Sequence, residues 1–210
     1  MQTVRTPAVA GLFYPADTAE LHNQVQHFLS QVEPPVEPPP KAIIAPHAGY
    51  VYSGPIAASA YARLKAARGT IARVVLLGPS HRVGFRGVAV SGMVAFETPL
   101  GRIPVDQEAV ELARQLPDVG FLEQAHAQEH SLEVHLPFLQ EVLGEFKLVP
   151  LVVGEARPPQ VGAILEALWG GPETLVVISS DLSHYHDYQT ARRMDGETSR
   201  AIEALRFEEI

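Results

Sequence analysis

Short apolar runs alternate along the chain with segments in which apolar residues recur at helical spacing. The runs have the length and β-branched composition of buried strands and predict strands at 41–45, 72–78, 87–91, 93–96, 146–153 and 174–179. A helical segment joins the first two strands, so they form a βαβ unit with a right-handed crossover. Strands alternating with helices predict an α/β fold: a mostly parallel or mixed sheet flanked by helices, with the short runs near 87–96 adding antiparallel strands.

Two helices near the start of the chain have recognisable beginnings. Asp17 can cap the first, and its apolar face comprises Leu21, Val25, Phe28, Leu29 and Val32. The proline-rich run 34–40 ends that helix and predicts an extended connector. Ser53-Gly-Pro is expected to open the second helix, whose predicted buried face comprises Ile56, Ala57, Ala60, Tyr61 and Leu64.

Later helices are predicted from the same periodicity. Asp106 can cap a helix that runs to about Leu116, and 131–143 predicts a helix interrupted or started near Pro137. Two further apolar stripes follow, one comprising Val161, Ile164, Leu165, Leu168 and Trp169, the other Ala191, Met194, Ala201, Ile202 and Leu205.

Composition narrows the classes of protein that the chain can represent. Its 210 residues predict a single domain, and the net charge of −8 argues against general binding to nucleic acid or an anionic membrane. The sequence contains no run of about 18 apolar residues, so it predicts no membrane-spanning helix. Its first residues lack the apolar core of a signal peptide. The absence of cysteine excludes disulfides and thiolate metal ligands within this sequence. We therefore expect a cytoplasmic protein.

Three histidines follow three of the predicted strands closely. His47 comes after the strand at 41–45, His81 after 72–78 and His184 after 174–179. The carboxyl ends of parallel strands share one edge of a sheet, where open α/β folds place ligands and chemistry. We therefore expect the three imidazoles to converge, with at least two of them about 3 to 4 Å apart and able to share a metal ion. Taken singly, each histidine could instead serve as a base or a turn residue, and Ser80 could simply cap its turn.

The third strand exit also carries a carboxylate. Asp181 could bind a metal, orient an imidazole or cap the last helix, and His184 could transfer protons.

A second histidine-rich segment lies at 126–137. It is not a His-Glu-x-x-His zinc helix, because His130 and His135 are five residues apart and would not share a helical face. His126 and His130 are four apart, but their polar surroundings predict exposure to solvent. The sequence has no Gly-x-Gly-x-x-Gly motif and no Walker loop, so the signature of a nucleotide-binding site is absent. It has no Gly-x-Ser-x-Gly elbow, so the signature of a serine hydrolase is absent as well.

The motifs taken together resemble the Memo family, also called AmmeMemoRadiSam system protein B. They occur in the order of that family and span nearly the whole chain: RTPAVAGLFYP at 5–15, APHAGYVYSG at 45–54, LGPSH at 77–81, TPLG at 98–101, EHSLEVHLP at 129–137 and SSDLSH at 179–184. The resemblance implies an α/β fold similar to that of the class III extradiol dioxygenases, which use non-haem Fe(II).

The resemblance also assigns roles to individual residues. His47 and His81 match the two metal-binding histidines, while His184 matches the acid–base histidine of the dioxygenases and has Asp181 beside it. His130 and His135 match further positions near the cleft. The other residues of the matching motifs that we expect at the cleft are Glu133, Ser80 and Tyr50.

Members of that family usually continue beyond the equivalent of Leu205 and carry there a cysteine that matches the third metal ligand. This sequence has no cysteine and ends at Ile210, so we expect that it lacks the family's C-terminal part. Water, Asp181 or another chain would then complete the metal site. We also expect a homo-oligomer whose interface includes Ala201, Ile202 and Leu205.

The resemblance implies a metal-binding protein with a dioxygenase-like cleft. Iron is the first expected metal, with zinc or copper as alternatives, and the activity would be that of a non-haem iron oxidoreductase working with an AmmeMemoRadiSam system. The ligand would be a small molecule or a peptide. Two other functions stay open: a non-catalytic module that binds a peptide or protein in the same cleft, and a zinc-dependent hydrolase.

Overall fold

A computed structural model describes residues 3–33 and 36–209 of the chain. Pro34 and Pro35, which belong to the predicted proline-rich connector, lie outside the described residues. The chain divides into two compact units, Met1–Ser180 and Asp181–Ile210, and each is described by itself. The expectation of a single domain stays a prediction.

The first unit contains strands in two sheets. The strands are β1 (Val4–Arg5), β2 (Ala42–Ala45), β3 (Arg73–Pro79), β4 (Val88–Val90), β5 (Ala95–Thr98), β6 (Gly101–Pro104), β7 (Val119–Phe121), β8 (Lys147–Val153) and β9 (Thr174–Ser179). The larger sheet has six strands in the order β2-β9-β3-β8-β4-β7, and the smaller has the order β1-β5-β6. In the larger sheet β2, β9, β3 and β8 are parallel, whereas β4 is antiparallel to β8 and parallel to β7. The predicted mixed α/β sheet, including an antiparallel strand near residue 88, is confirmed.

Helices flank the larger sheet and provide most of the remaining core. Those of the first unit are α1 (Thr18–Ser30), α2 (Tyr50–Tyr61), α3 (Gln107–Arg114), α4 (Glu123–Ala127), α5 (His130–Glu133), α6 (Leu136–Leu143) and α7 (Pro158–Leu168). Asp17 and Asp106 cap α1 and α3 as predicted, accepting hydrogen bonds from the amides of Glu20 and Ala109. The expected interruption of the 131–143 helix is real, because α5 ends at Glu133 and α6 begins at Leu136.

The centre of the larger sheet is apolar on both faces, as parallel sheets covered by helices are. Val75 of β3 pairs with Val149 of β8 on one side and with Val176 of β9 on the other, and all three side chains are buried. Because neither face of these central strands contacts solvent, their sequences are continuous apolar runs rather than alternating apolar and polar residues. The same packing fixes the strand ends, from which the histidines emerge.

Two details of α2 differ from the prediction. The helix begins at Tyr50, because the carbonyl of Gly49 already accepts hydrogen bonds from the amides of Tyr52 and Ser53. Ser53 is therefore inside the first turn and does not open the helix. Ile56 is 66% exposed rather than buried, because the buried face is centred on Ala57 and Tyr61 and turns Ile56 towards solvent.

The second unit contains one long helix, α8 (Tyr188–Glu203). Asp187 caps it by accepting hydrogen bonds from the amides of Gln189 and Thr190. The amide of Ser183 donates to the carboxylate of Asp195, which ties the segment before the helix to its second turn. Across the described residues of both units, no helix combines the length and apolar character needed to cross a membrane.

Candidate metal centre

Three strand ends of the larger sheet lie side by side at one edge. His47 follows the end of β2 by two residues, His81 follows the end of β3 by two residues, and Ser179 is the last residue of β9, which lies between those strands. His130 begins α5 and faces the same place. Segments distant in the sequence therefore meet where parallel strands end.

The imidazoles of His47, His81 and His130 form a compact cluster, hereafter the three-histidine cluster. Each offers one ring nitrogen, and these nitrogens all lie within 4.8 Å of one another. The ring centroids of His47 and His81 are 5.1 Å apart, those of His81 and His130 are 4.5 Å apart, and those of His47 and His130 are 5.6 Å apart. His47 and His81 therefore lie close together, with His130 as a third member; the expected nitrogen separation of about 3 to 4 Å stays a prediction.

A chain of two hydrogen bonds holds the ring of His47 in place. Its Nδ1 lies 2.7 Å from the hydroxyl oxygen of Ser179, and that hydroxyl donates to the carbonyl of Ser131 at 2.6 Å. All three residues are buried. His47 is therefore fixed to the end of β9 and to the first turn of α5.

A buried carboxylate holds His81. Glu129 accepts a hydrogen bond from the backbone amide of His81 at 2.6 Å, contacts the ring Nδ1 of His81 at 2.9 Å and accepts from the amide of Ser131 at 3.0 Å. Burial alone would raise the pKa of Glu129, but these bonds from His81 and Ser131 outweigh it and lower the pKa. Glu129 therefore places a negative charge beside the three-histidine cluster.

The donor set of the cluster suits a divalent transition metal. Neutral imidazole is a common ligand for zinc, copper and iron. The cluster is also graded in exposure: His47 is buried, the side chain of His130 is 14% exposed, and that of His81 is 37% exposed. Three protein ligands with one open side are typical of catalytic rather than purely structural metal sites. The three-histidine cluster could therefore hold a metal ion and a further ligand.

The predicted exposure of His126 and His130 is wrong. His126 is 1% exposed, and its Nε2 lies 3.1 Å from the carbonyl oxygen of Ala89. Burial lowers the pKa of His126 to about 4, so the ring is neutral at ordinary pH. Gln124 and Gln128, which lie two residues to either side, are exposed, whereas His126 itself is buried.

Two of the residues predicted at the cleft are deeply buried. The Nδ1 of His135 lies 2.6 Å from the hydroxyl of Tyr61, and burial, followed by the nearby His47, lowers the pKa of His135 to about 3. The hydroxyl of Tyr50 donates to the carbonyl of Val134 at 2.7 Å, and its ring packs against the aromatic core. A direct role of His135 or Tyr50 in binding a substrate stays a prediction.

Glu133 and Ser80 have well-defined structural contacts. Glu133 is fully buried, pairs with Arg5 and accepts hydrogen bonds from Tyr14 and from the amides of Ala8 and Val9. These bonds attach the N-terminal segment to α5. The hydroxyl of Ser80 donates to the carbonyl of Val83 at 2.7 Å, which is the turn-capping alternative raised from the sequence. Their roles at the cleft also stay predictions.

Asp181 and His184 belong to the second unit. Nε2 of His184 lies 3.9 Å from a carboxylate oxygen of Asp181, and its Nδ1 lies 2.8 Å from the carbonyl oxygen of Leu182. Their expected convergence with His47 and His81 stays a prediction.

Reasoning from the sequence missed two residues that contact the cluster, Glu129 and Ser179. Both lie inside the motifs quoted above, but no spacing rule relates either to the histidine that it contacts. The available signal was the type and position of each residue. Glu129 directly precedes His130, and Ser179 is the last residue of the predicted strand at 174–179.

The fold and the cluster define an α/β protein with histidines gathered at the carboxyl ends of parallel strands. The family model for "Memo-like protein" matches residues 5–210, and the chain belongs to the Memo family. The resemblance inferred from the motifs is thereby confirmed, and the α/β fold is consistent with the dioxygenase-like fold that it implied.

Curated relatives agree over nearly the whole chain. A "MEMO1 family protein" of Aquifex aeolicus is 42% identical over 99% of this chain and 77% of the relative. Proteins of the same name from Thermotoga maritima and Sulfolobus acidocaldarius are 38% and 36% identical, over 96% and 97% of this chain and 78% of each relative.

Proposed function

We propose that the protein binds a divalent metal ion through His47, His81 and His130 and uses it in an oxidoreductase reaction. The observation that carries the proposal is the meeting of three ring nitrogens within 4.8 Å at the carboxyl edge of the sheet. Iron is the first candidate, from the resemblance to non-haem iron dioxygenases. Zinc and copper also bind imidazole readily.

A bound ion would act as a Lewis acid, polarising the oxygen of a substrate that enters its open positions. The residues of the chain would hold and orient it. His81 is the most exposed member of the cluster and marks the side from which a ligand enters. Glu129 supplies a negative charge that offsets part of the charge of a divalent ion.

His184 is our proposed acid–base residue, and Asp181 is proposed to orient it or to act as a further ligand. Both proposals come from the family resemblance and from the short separation of the two side chains. A substrate of the dioxygenase type would need a proton donor and acceptor close to the metal. The same family resemblance is the basis for proposing that the protein works with other components of an AmmeMemoRadiSam system.

A homo-oligomer formed through the last helix stays a prediction. Light scattering at low micromolar concentration tests it.

A second candidate is a zinc-dependent hydrolase. The three members of the cluster are all imidazoles, and three histidines with an open position form a known type of catalytic zinc site. Non-haem iron oxygenases more often combine two histidines with a carboxylate. The choice between the two metals therefore decides the class of reaction. A non-catalytic module that binds a peptide or protein would require no metal in the cluster.

Elemental analysis of protein purified without chelators separates these functions. One iron per chain supports the oxidoreductase, one zinc supports the hydrolase, and no bound metal, including after incubation with each ion, supports the binding module. His27→Ala is the control for variants of the cluster histidines. It removes an exposed histidine of α1 and should leave the metal content of the protein unchanged.

A further inference from the structure

We propose that Ser179 and Glu129 are positioning residues that keep the ring proton of His47 and of His81 on Nδ1, so that both residues present Nε2 to the metal. This inference rests on the proposed metal-binding function. It can be tested in metal-free protein, because it concerns hydrogen bonds among the protein's own residues.

The argument for His47 follows from the single proton of a hydroxyl group. The carbonyl of Ser131 can only accept, so the proton of Ser179 is committed to it, at 2.6 Å. The oxygen of Ser179 then has only lone pairs to offer Nδ1 of His47, 2.7 Å away. Nδ1 must therefore carry the proton, which leaves the lone pair of a neutral ring on Nε2.

The argument for His81 follows from the convergence of donors on Glu129. The amides of His81 and Ser131 both donate to its carboxylate, which shows that the group serves as an acceptor. Nδ1 of His81 lies 2.9 Å from the oxygen Oε1 and is therefore the protonated nitrogen. A carboxylate bonded to the outer nitrogen of a metal-binding histidine fixes its ring and makes it a stronger ligand.

One short segment connects the two arrangements. Residues 129–131 supply the carboxylate for His81, the third imidazole and the carbonyl that orients Ser179. The hydroxyl of Ser131 also donates to the carbonyl of Pro79 at 2.8 Å, which anchors this segment to the end of β3. Displacement of the segment would therefore change all three candidate ligands together.

The direct test measures the position of the protons in metal-free protein. Long-range 1H–15N correlation spectra of histidine-labelled protein, recorded near pH 8.5 where an ordinary imidazole is neutral, distinguish the two tautomers. We expect His47 and His81 to show the proton on Nδ1, and Ser179→Ala to give His47 a mixture of tautomers. A proton on Nε2 of either residue in the unaltered protein would overturn the proposal.

The second test measures metal affinity. Ser179→Ala and Glu129→Gln should each weaken binding of Zn²⁺, or of the ion found by elemental analysis, about 10- to 100-fold in competition with a chromophoric chelator. The controls are Ser91→Ala and Glu123→Gln, which alter a hydroxyl–carboxylate pair (2.8 Å) that is not part of the cluster. Both controls should keep the original affinity.

The outcomes of the two tests distinguish this inference from the proposed function. If no ion binds to the unaltered protein, the proposed function fails, while the proton positions still decide the hydrogen-bond arrangement. If an ion binds equally well to the unaltered protein and to both variants, the function stands and the positioning roles are wrong. Should Glu129→Gln fail to fold, the spectrum and affinity of Ser179→Ala carry the decision.

Discussion

Glu129 binds His81 at two points, through the backbone amide at 2.6 Å and through the ring Nδ1 at 2.9 Å. A side chain held only by its ring could swing with the loop that follows β3. Here the same buried carboxylate fixes the main chain and the ring together. The most exposed member of the three-histidine cluster is thereby held through both its main chain and its ring.

The first prediction concerns the ligands. His47→Ala, His81→Ala and His130→Ala should each abolish stoichiometric metal uptake, because two imidazoles hold a divalent ion much more weakly than three. Circular dichroism should show the fold retained, particularly for His81, which lies at the surface.

His22→Ala provides a control, because His22 is exposed on α1 and pairs with Glu141 away from the cluster. Metal retained at one ion per chain in any of the three cluster variants would show that the ion binds elsewhere.

The second prediction concerns the buried ion pair of Arg5 and Glu133. Their side chains are 5% and 0% exposed, so Arg5→Met leaves the charge of Glu133 without its cationic partner in the interior. We expect a loss of about 3 to 5 kcal/mol in the free energy of unfolding, measured by urea denaturation.

Arg102→Met is the matched control. It breaks the pair of Arg102 with Glu97, whose side chains are 65% and 32% exposed, and should cost no more than about 1 kcal/mol. Equal losses in the two variants would show that the pair of Arg5 and Glu133 does not anchor the N-terminal segment.

The third prediction concerns pH. The pKa of His126 is lowered to about 4 in the folded protein, whereas an unfolded histidine titrates near 6.5. Between these values the unfolded chain binds more protons, so stability falls as pH falls from about 6.5 towards 4. Where the unfolded residue is protonated and the folded one is neutral, His126 contributes about 1.4 kcal/mol per pH unit to the slope of the free energy of unfolding against pH.

His126→Gln removes the titrating group and keeps a side-chain N–H, at about the distance of Nε2 from the main chain, that can donate to the carbonyl of Ala89. The variant should therefore show a shallower loss of stability over that pH range, measured by urea denaturation at a series of pH values. Parallel curves for the two proteins would mean that His126 is protonated equally in the folded and unfolded states.

The sequence predicted those parts of the fold that local patterns determine. An apolar run followed by proline and histidine located the ends of β2 and β3, and parallel pairing then brought His47 and His81 together. The cap of α1 at Asp17 was equally local. In each case the residues that decide the structure lie within a few positions of one another.

What the sequence could not predict depends on contacts between distant segments. His126 has polar neighbours in the sequence, yet its ring is buried with Nε2 beside the carbonyl of Ala89. Ile56 has the spacing of a core residue, but the tertiary packing of α2 selects a different face. The contact of Ser179 with His47 joins residues 132 positions apart, which no periodicity reveals.

Anomalous diffraction tests the three-histidine centre most directly. Data from crystals of protein purified without chelators would be collected on both sides of the absorption edge of the metal that elemental analysis identifies. We predict one strong anomalous peak about 2.0 to 2.3 Å from a ring nitrogen of each of His47, His81 and His130. A peak at any other place, or one bonded to His47 and His81 but not to His130, would contradict the proposed centre.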